Sequence, residues 1–190
     1  MRNAVIVHGK PSRERYENPN EPKPHVANWF PWIGKQLSDR GVEAVVPPMP
    51  KPYFPVYGDW RQAFEQYPVT AETALVGHSA GAEFILRWLS GHPDATVDRV
   101  VLVAPYKDYA HKYGEFSDYE LDAELIQRAG KISILYSTDD DEPIVRRANE
   151  LNETLSGARL IELSGYGHFR IGHNMQDEQL PPLLAELQTH

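Results

Sequence analysis

A serine lies at the centre of a glycine-bounded pentapeptide, Gly77-His78-Ser79-Ala80-Gly81. The segment before it is short and apolar, and the segment after it carries apolar residues around most of a helix. A serine on such a sharp strand-to-helix turn exposes its hydroxyl, and the flanking glycines let neighbouring backbone approach closely. The free N–H groups at the start of the helix favour a developing oxyanion. The pattern therefore predicts a nucleophilic serine at position 79.

A serine hydroxyl becomes a good nucleophile only beside a general base that a carboxylate orients. In a strand-turn-helix arrangement, the acid and then the histidine are expected after later strands of the chain. His168 lies in a glycine-flexed loop after the last strand-like run and is the predicted base. His173, in the same loop, is the alternative.

The orienting acid is predicted within a run of four acidic residues, 139–142, that follows another strand-like run. A strand that ends near Ser137 needs a residue or two before its loop turns towards the histidine. This favours Asp140, with Asp139 and Asp141 as alternatives. Asp141 also fits the cap of a helix entered through Pro143.

The dipeptide His8-Gly9 closes the first strand-like run. The residue after the nucleophile and the loop after the first strand supply the two oxyanion-hole donors in this arrangement. The backbone N–H groups of Ala80 and Lys10 are therefore the predicted donors. Aromatic rings in later loops could form an acyl pocket, although the same rings could simply pack those loops. The candidate pocket residues are His8, Gly9, Tyr53, Phe54, Tyr106, Tyr109 and Phe169.

The chain has 190 residues, of which 27 are acidic and 19 basic, and a formal net charge of −8. This acidic balance argues against a nucleic-acid surface, and the absence of cysteine excludes disulfides, thiolate metal sites and a cysteine nucleophile. Apolar runs are far shorter than the ~20 residues that cross a bilayer, and we expect no signal peptide because Met1-Arg2-Asn3 leads straight into the first strand-like run. We expect one domain over residues 1–190, in the cytoplasm and without a membrane partner.

Six short runs rich in Val and Ile are typical of parallel strands that are covered on both faces. They span residues 4–8, 43–46, 73–77, 99–104, 132–137 and 159–163. Helical patterns lie between them, at residues 29–40, from 59, at 80–90, 119–129 and 144–155, and finally at 183–188. In the first helix Asn28 is the expected N-cap, and Asp59 can cap the second. This alternation predicts a doubly wound α/β sheet.

Proline is concentrated in two segments, 10–26 and 47–57, which are predicted to be loops without regular helix or interior strand. They follow the first and second strands, so both lie at the carboxyl edge of the parallel sheet. Ligands bind at that edge in open α/β folds.

Several motifs beyond the serine pentapeptide carry a family resemblance. They are Val5-Ile6-Val7-His8-Gly9, Asn28-Trp29-Phe30-Pro31-Trp32-Ile33, Pro48-Met49-Pro50, Asp59-Trp60, Ser137-Thr138-Asp139-Asp140 and Gly167-His168-Phe169. With these motifs the chain resembles the retinoblastoma-binding-protein-9-like family of small serine hydrolases over nearly its whole length. The resemblance implies a minimal α/β-hydrolase fold, a three-layer α/β/α sandwich of about six parallel strands in the order 2-1-3-4-5-6. It also implies a triad of Ser79, Asp140 and His168.

The resemblance implies that the triad acid is the second Asp of the pair Asp139-Asp140. In the family a short apolar-Pro segment follows this pair, and Asp141-Glu142-Pro143 departs from that pattern. The family recruits its namesake partner through a cysteine-containing motif. Because this chain has no cysteine, retinoblastoma-protein binding is not expected.

The expected function is that of a serine hydrolase, a carboxylesterase on small acyl esters, with amides as possible substrates. No metal or organic cofactor is required by this chemistry. A binding module on a hydrolase scaffold and an acyltransferase with the same triad are the alternatives. At 190 residues the chain leaves no room for a cap domain, so an open site and a small substrate are expected.

Overall fold

Short Val- and Ile-rich runs form the strands of one parallel sheet in the structure, a computed structural model that describes residues 1–188. The strands are β1 (Asn3–Val7), β2 (Glu43–Val45), β3 (Thr73–His78), β4 (Arg99–Val103), β5 (Ile132–Ser137) and β6 (Arg159–Leu163). Their order is β2-β1-β3-β4-β5-β6, and every pairing is parallel. The predicted strand order is confirmed.

Helices cover both faces of this sheet. They are α1 (Arg13–Glu17), α2 (Phe30–Ser38), α3 (Tyr57–Phe64), α4 (Ala80–Ser90), α5 (Glu142–Thr154) and α6 (Pro181–Gln188). Alternate residues of each strand point to opposite faces. Val5 and Val7 of β1 pack with α3, α4 and α5 in one core, and Ala4 and Ile6 pack with α2 and α6 in the other. The predicted three-layer sandwich is confirmed, and the described residues contain no cap domain.

The order in which successive strands join the sheet reverses at β1. The chain adds β2 on one side of β1 and then adds β3 on the other side. Such a switch point opens a crevice at the carboxyl ends of its two strands. Helix α4 starts at this crevice and lies directly against β1. A Cβ at Gly81 would lie 2.2 Å from the Val7 carbonyl oxygen, so only glycine allows this approach. None of the helices in residues 1–188 is long and apolar enough to cross a membrane.

The predicted helix at 119–129 is wrong, because only a short 3₁₀ turn, Leu125–Gln127, forms there. Asp122 accepts a hydrogen bond from the Glu124 N–H at 2.9 Å, a local turn that competes with helix. Arg128 pairs with Asp122 at 2.6 Å. It also donates to three carbonyls around the end of α4, those of Leu89, His92 and Ala95.

Three smaller expectations, for the loop at 10–26 and for the N-caps of α2 and α3, are also wrong. The loop at 10–26 contains the short helix α1, capped by Ser12 in the proline-free stretch 12–18, and a 3₁₀ turn, Pro24–Val26. Asn28 does not cap α2, since it has a left-handed φ of 52° and its side chain accepts a hydrogen bond from the Ile171 N–H at 3.1 Å. Asp59 lies in the first turn of α3, and the N-cap is Val56.

Candidate active site

Ser79 lies on the turn between β3 and α4 with a strained backbone, φ 55° and ψ −121°. Non-glycine residues rarely adopt a positive φ, and such strain collects at functional sites. A Cβ at Gly77 would lie 2.4 Å from the Cα of Ala82, so the turn closes this tightly only with glycine. The backbone N–H of Ser79 donates to the Val103 carbonyl at 2.9 Å, which ties the turn to β4.

The His168 ring lies between Ser79 and Asp140. Its Nε2 is 2.9 Å from Ser79 Oγ, and its Nδ1 is 2.9 Å and 3.1 Å from the two carboxylate oxygens of Asp140. The Asp140 side chain has no exposed surface, whereas the ring keeps 22%. A carboxylate facing Nδ1 requires the proton on that nitrogen, which leaves Nε2 free to accept the hydroxyl proton.

The two alternative acids occupy other positions in the fold. Asp139 accepts hydrogen bonds from Gly165 N, Gly167 N and Asn174 Nδ2 at 2.9, 3.3 and 2.7 Å, and a short one from Ser137 Oγ. The Ser137 hydroxyl, followed by the other donors, holds the pKa of Asp139 well below its usual range. Asp141 is the N-cap residue of α5. Asp139 therefore anchors the loop that carries His168, and Asp140 is the acid that meets the ring.

Three further side chains hold the histidine loop through its backbone. His173 Nδ1 accepts from His168 N at 3.0 Å, so the alternative base supports the loop instead. His78 Nε2 donates to the His168 carbonyl at 2.9 Å, and Trp29 Nε1 donates to the Phe169 carbonyl at 3.0 Å. Burial lowers the pKa of His78 to about 3, which keeps it a neutral donor. The sequence offered no signal for these roles beyond the Asn-Trp and Gly-His motifs themselves.

The two predicted oxyanion donors flank the serine. A Cβ at Gly9 would lie 2.9 Å from Ser79 Cβ, so the backbone leading to Lys10 passes directly beside the nucleophile. Ala80 is the first residue of α4. Within residues 1–188, neither the Ala80 nor the Lys10 backbone N–H donates a hydrogen bond to another group of the protein. Both amides are therefore available to an oxyanion.

His8 shapes this strand end. Its Nδ1 donates to the Gly9 carbonyl at 2.8 Å, and its Nε2 accepts from Met49 N at 3.2 Å. Burial lowers the pKa of His8 to about 4, so it too remains neutral near pH 7. The ring connects the loop after β1 to the proline-rich loop after β2.

A cavity of about 350 Å³ opens at Ser79 and His168. Its other wall comes from the loop after β1 and the start of α2, and it includes the predicted pocket residues His8 and Gly9. The other five candidates, Tyr53, Phe54, Tyr106, Tyr109 and Phe169, do not line it.

The aromatic rings of those five candidates have other contacts. Tyr53 packs on Tyr16 with ring centroids 5.3 Å apart, and Phe54 packs on Tyr113 at 5.9 Å. Tyr109 donates to Glu150 at 2.5 Å. Phe169 is fully buried, and Tyr106 contacts the serine turn through its backbone N–H, 3.3 Å from the Ser79 carbonyl. Sequence reasoning placed the pocket beside the wrong loops because aromatic residues pack loops as readily as they line sites.

A buried ion pair that sequence reasoning missed joins α4 to α5. Glu83, in the first turn after Ser79, has no exposed surface and accepts from Arg147 at 3.0 and 3.2 Å. A lone acid in an otherwise apolar helix was the only signal for it. Elsewhere in residues 1–188, no group of three or more His, Asp or Glu side chains could hold a metal ion.

Comparison with known proteins agrees with this geometry. The profile of the serine hydrolase family matches residues 16–186. The predicted hydrolase YdeN of Bacillus subtilis strain 168 is 30% identical over 149 residues, which cover 75% of this chain and 78% of YdeN. The crystal structure of YdeN superposes with a TM-score of 0.81 at 27% identity, over 98% of this chain and 97% of that one.

A more distant structure shares the fold. A lidless α/β serine hydrolase from Xanthomonas campestris has a TM-score of 0.60 at 17% identity, over 99% of this chain and 80% of that one. The narrower resemblance to retinoblastoma-binding-protein-9-like hydrolases is not tested by these matches and stays a prediction. The chain belongs to the serine hydrolase family.

Proposed function

We propose that the protein is a carboxylesterase acting on small acyl esters, within the retinoblastoma-binding-protein-9-like branch of the serine hydrolases. Ser79 is the nucleophile, His168 the general base and Asp140 the orienting acid. The observation that carries the proposal is the unbroken hydrogen-bond chain from Ser79 Oγ through the His168 ring to the buried Asp140 carboxylate.

The geometry supports a two-step acyl transfer. Ser79 Oγ attacks the ester carbonyl carbon while its proton passes to His168 Nε2, and the carbonyl oxygen gains the negative charge. The backbone amides of Ala80 and Lys10 donate to that oxyanion. His168 then protonates the departing alkoxide, which leaves an acyl-Ser79 ester. Water attacks this ester with His168 again as the base, and the acid and free Ser79 are released.

The size of the cavity favours a small substrate. Ligand sites span roughly 300 to 1,000 Å³, and the cavity at Ser79, at about 350 Å³, is near the lower limit. Its other wall is formed by the long loop after β1, which approaches the serine closely at Gly9. We therefore expect short acyl chains to be hydrolysed faster than long ones.

A fluorophosphonate probe tests the nucleophile, because it reacts covalently only with an activated serine. Parent protein and Ser156→Ala, a change at an exposed serine after α5, should be labelled, and Ser79→Ala should not. The same three proteins are assayed with p-nitrophenyl acetate, butyrate and octanoate and with the corresponding anilides. Labelling of Ser79→Ala as strong as that of the parent would overturn the proposal.

The assay also separates the alternatives. No labelling and no hydrolysis by a folded parent protein would favour a binding module. Added alcohol would give a new ester as the transfer product, and added thiol would give a thioester. If the rate of forming this product rises by more than the rate of hydrolysis falls, the result would favour acyl transfer to those acceptors.

A further inference from the structure

The wall of the cavity at Ser79 carries positive charge on a chain whose net charge is −8. Three cationic side chains line it, Lys10, Arg15 and Arg170, and no Asp or Glu side chain does. Two of these cations have partners. Arg15 Nε pairs with Glu21 at 3.1 Å, and Lys10 Nζ lies 4.6 Å from the centre of the Tyr113 ring.

Arg170 differs from the other two. Its side chain is half-buried, and its Nε is fully buried without a hydrogen-bond partner. Among the residues that the structure describes, no carboxylate forms an ion pair with it. A buried donor left unpaired destabilises the folded protein, and a charged donor does so more than a neutral one. A ligand carboxylate that pairs with the remaining, accessible part of this guanidinium would offset that destabilisation.

The charges around Arg170 do not supply such a partner. Asp140, Asp141 and Glu21 act on it through space. Asp140 is held by His168 and Glu21 pairs with Arg15, and within residues 1–188 none of the three carboxylates forms an ion pair with Arg170. Burial, followed by the like charge of Arg15, lowers the pKa of Arg170. Arginine nevertheless stays protonated in proteins. The site therefore keeps a cation that has no direct ion-pair partner within residues 1–188, two residues after His168 on the same loop.

We propose that Arg170 forms a carboxylate-binding subsite of the cavity, supported by the positive charge of Arg15 and Lys10, and that the substrate is an ester carrying a free carboxylate. This inference rests on the proposed esterase function and specifies its substrate class. A guanidinium fork binds a carboxylate through two parallel hydrogen bonds. One unpaired guanidinium matches one monoanion.

Matched pairs of esters test the subsite from both sides of the scissile bond. The acyl side is probed with p-nitrophenyl hydrogen adipate against its methyl ester, and the alcohol side with p-carboxyphenyl acetate against p-carbamoylphenyl acetate. Each kcat/KM is divided by the rate constant for hydroxide-catalysed hydrolysis of the same ester, which corrects for the intrinsic reactivity of that ester. Because a charged hydrogen bond contributes about 1.5–3 kcal/mol, kcat/KM should favour the anionic member of one pair by roughly 10- to 100-fold.

The variant Arg170→Gln should bring that ratio close to one, and Arg170→Lys should restore it only in part, because lysine lacks the planar fork. Arg61→Gln, a change at an exposed arginine of α3, should leave the ratio as in the parent. A parent ratio near one in both pairs, alongside Ser79-dependent hydrolysis of the neutral esters, overturns the subsite and leaves the proposed function standing.

Binding to Ser79→Ala, measured by calorimetry, provides a readout without turnover. Monomethyl glutarate should bind at least about tenfold more tightly than dimethyl glutarate, and this preference should disappear when Arg170→Gln is added. Equal binding of the two esters overturns the proposal whether or not hydrolysis is detected. Tighter binding of inorganic phosphate than of monomethyl glutarate overturns the choice of a carboxylate.

Discussion

Replacing Asp140 with asparagine keeps the shape of the group that faces His168 and removes its charge. The change also places an amide donor where a carboxylate oxygen accepts from Nδ1, at 2.9 Å. The ring then prefers the tautomer with its proton on Nε2, which can no longer accept the Ser79 proton. The expected defect is therefore in the chemical step.

The size of that defect follows from the geometry. During attack on the ester, His168 carries a positive charge beside the buried Asp140 carboxylate, whose nearer oxygen is 2.9 Å from Nδ1, which places the two centres of charge roughly 4 Å apart. At an effective dielectric constant of about 20, two such charges attract by about 4 kcal/mol. Loss of that attraction corresponds to about a thousandfold in rate, and the wrong tautomer raises the expected loss towards 10⁴-fold.

The assay is kcat/KM for p-nitrophenyl acetate, with Asp139→Asn and Asp141→Asn as matched changes on either side. Asp141→Asn should stay within about threefold of the parent, as for other exposed positions. Asp139→Asn should lose about tenfold, since one of several supports of the histidine loop is weakened. If Asp140→Asn kept more than about a tenth of the parent activity, or if Asp139→Asn fell as far with an unchanged Tm, the assignment of the acid would be refuted.

Three further predictions concern stability, each measured by urea denaturation. Gly81→Ala places a Cβ 2.2 Å from a β1 carbonyl and should lower the free energy of unfolding by about 1–3 kcal/mol. Its matched control, Gly34→Ala, has open space around its Cβ and should raise the free energy of unfolding by up to about 1 kcal/mol. Arg147→Leu leaves Glu83 as an unpaired buried charge and should cost about 3–5 kcal/mol, whereas adding Glu83→Leu should recover part of that loss. The third is a pH dependence. Because burial lowers the pKa of His78 from 6.5 to about 3, the unfolded chain binds this proton more readily. His78 therefore removes up to about 1.4 kcal/mol of stability per pH unit as the pH falls from 6.5 towards 4, and His78→Gln should flatten that slope.

The sheet and the serine turn could be predicted because their signals are local. Each strand is a continuous apolar run, and Ser79 with both its glycines lies within a single pentapeptide. The candidate oxyanion donors also have local signals, since Ala80 follows the nucleophile and Lys10 lies three positions after β1, and their role stays a prediction. Strand order was implied only by the family resemblance, since apolar runs carry no information on their neighbours.

The remaining features depend on contacts between distant parts of the chain. The Trp29 indole reaches the Phe169 carbonyl across 140 positions, and Arg147 reaches Glu83 across 64. The sequence around Trp29 and around Arg147 contains no local pattern that predicts which residue each one contacts. The predicted helix at 119–129 failed for the same reason, because Arg128 bonds to carbonyls around the end of α4 instead of supporting a helix of its own.

Net charge and local charge make opposite predictions for an anionic substrate of this protein. A net charge of −8 repels an approaching anion, but salt screens exposed charges beyond about 8 Å at physiological ionic strength. Inside the cavity the anion meets three cationic side chains and no acidic one, at distances shorter than this screening length. The long-range repulsion acts on the rate of encounter, whereas pairing with Arg170 acts on the lifetime of the bound state. A preference for carboxylate esters should therefore arise from slower dissociation of the bound anion and persist when salt has removed the effect of the net charge.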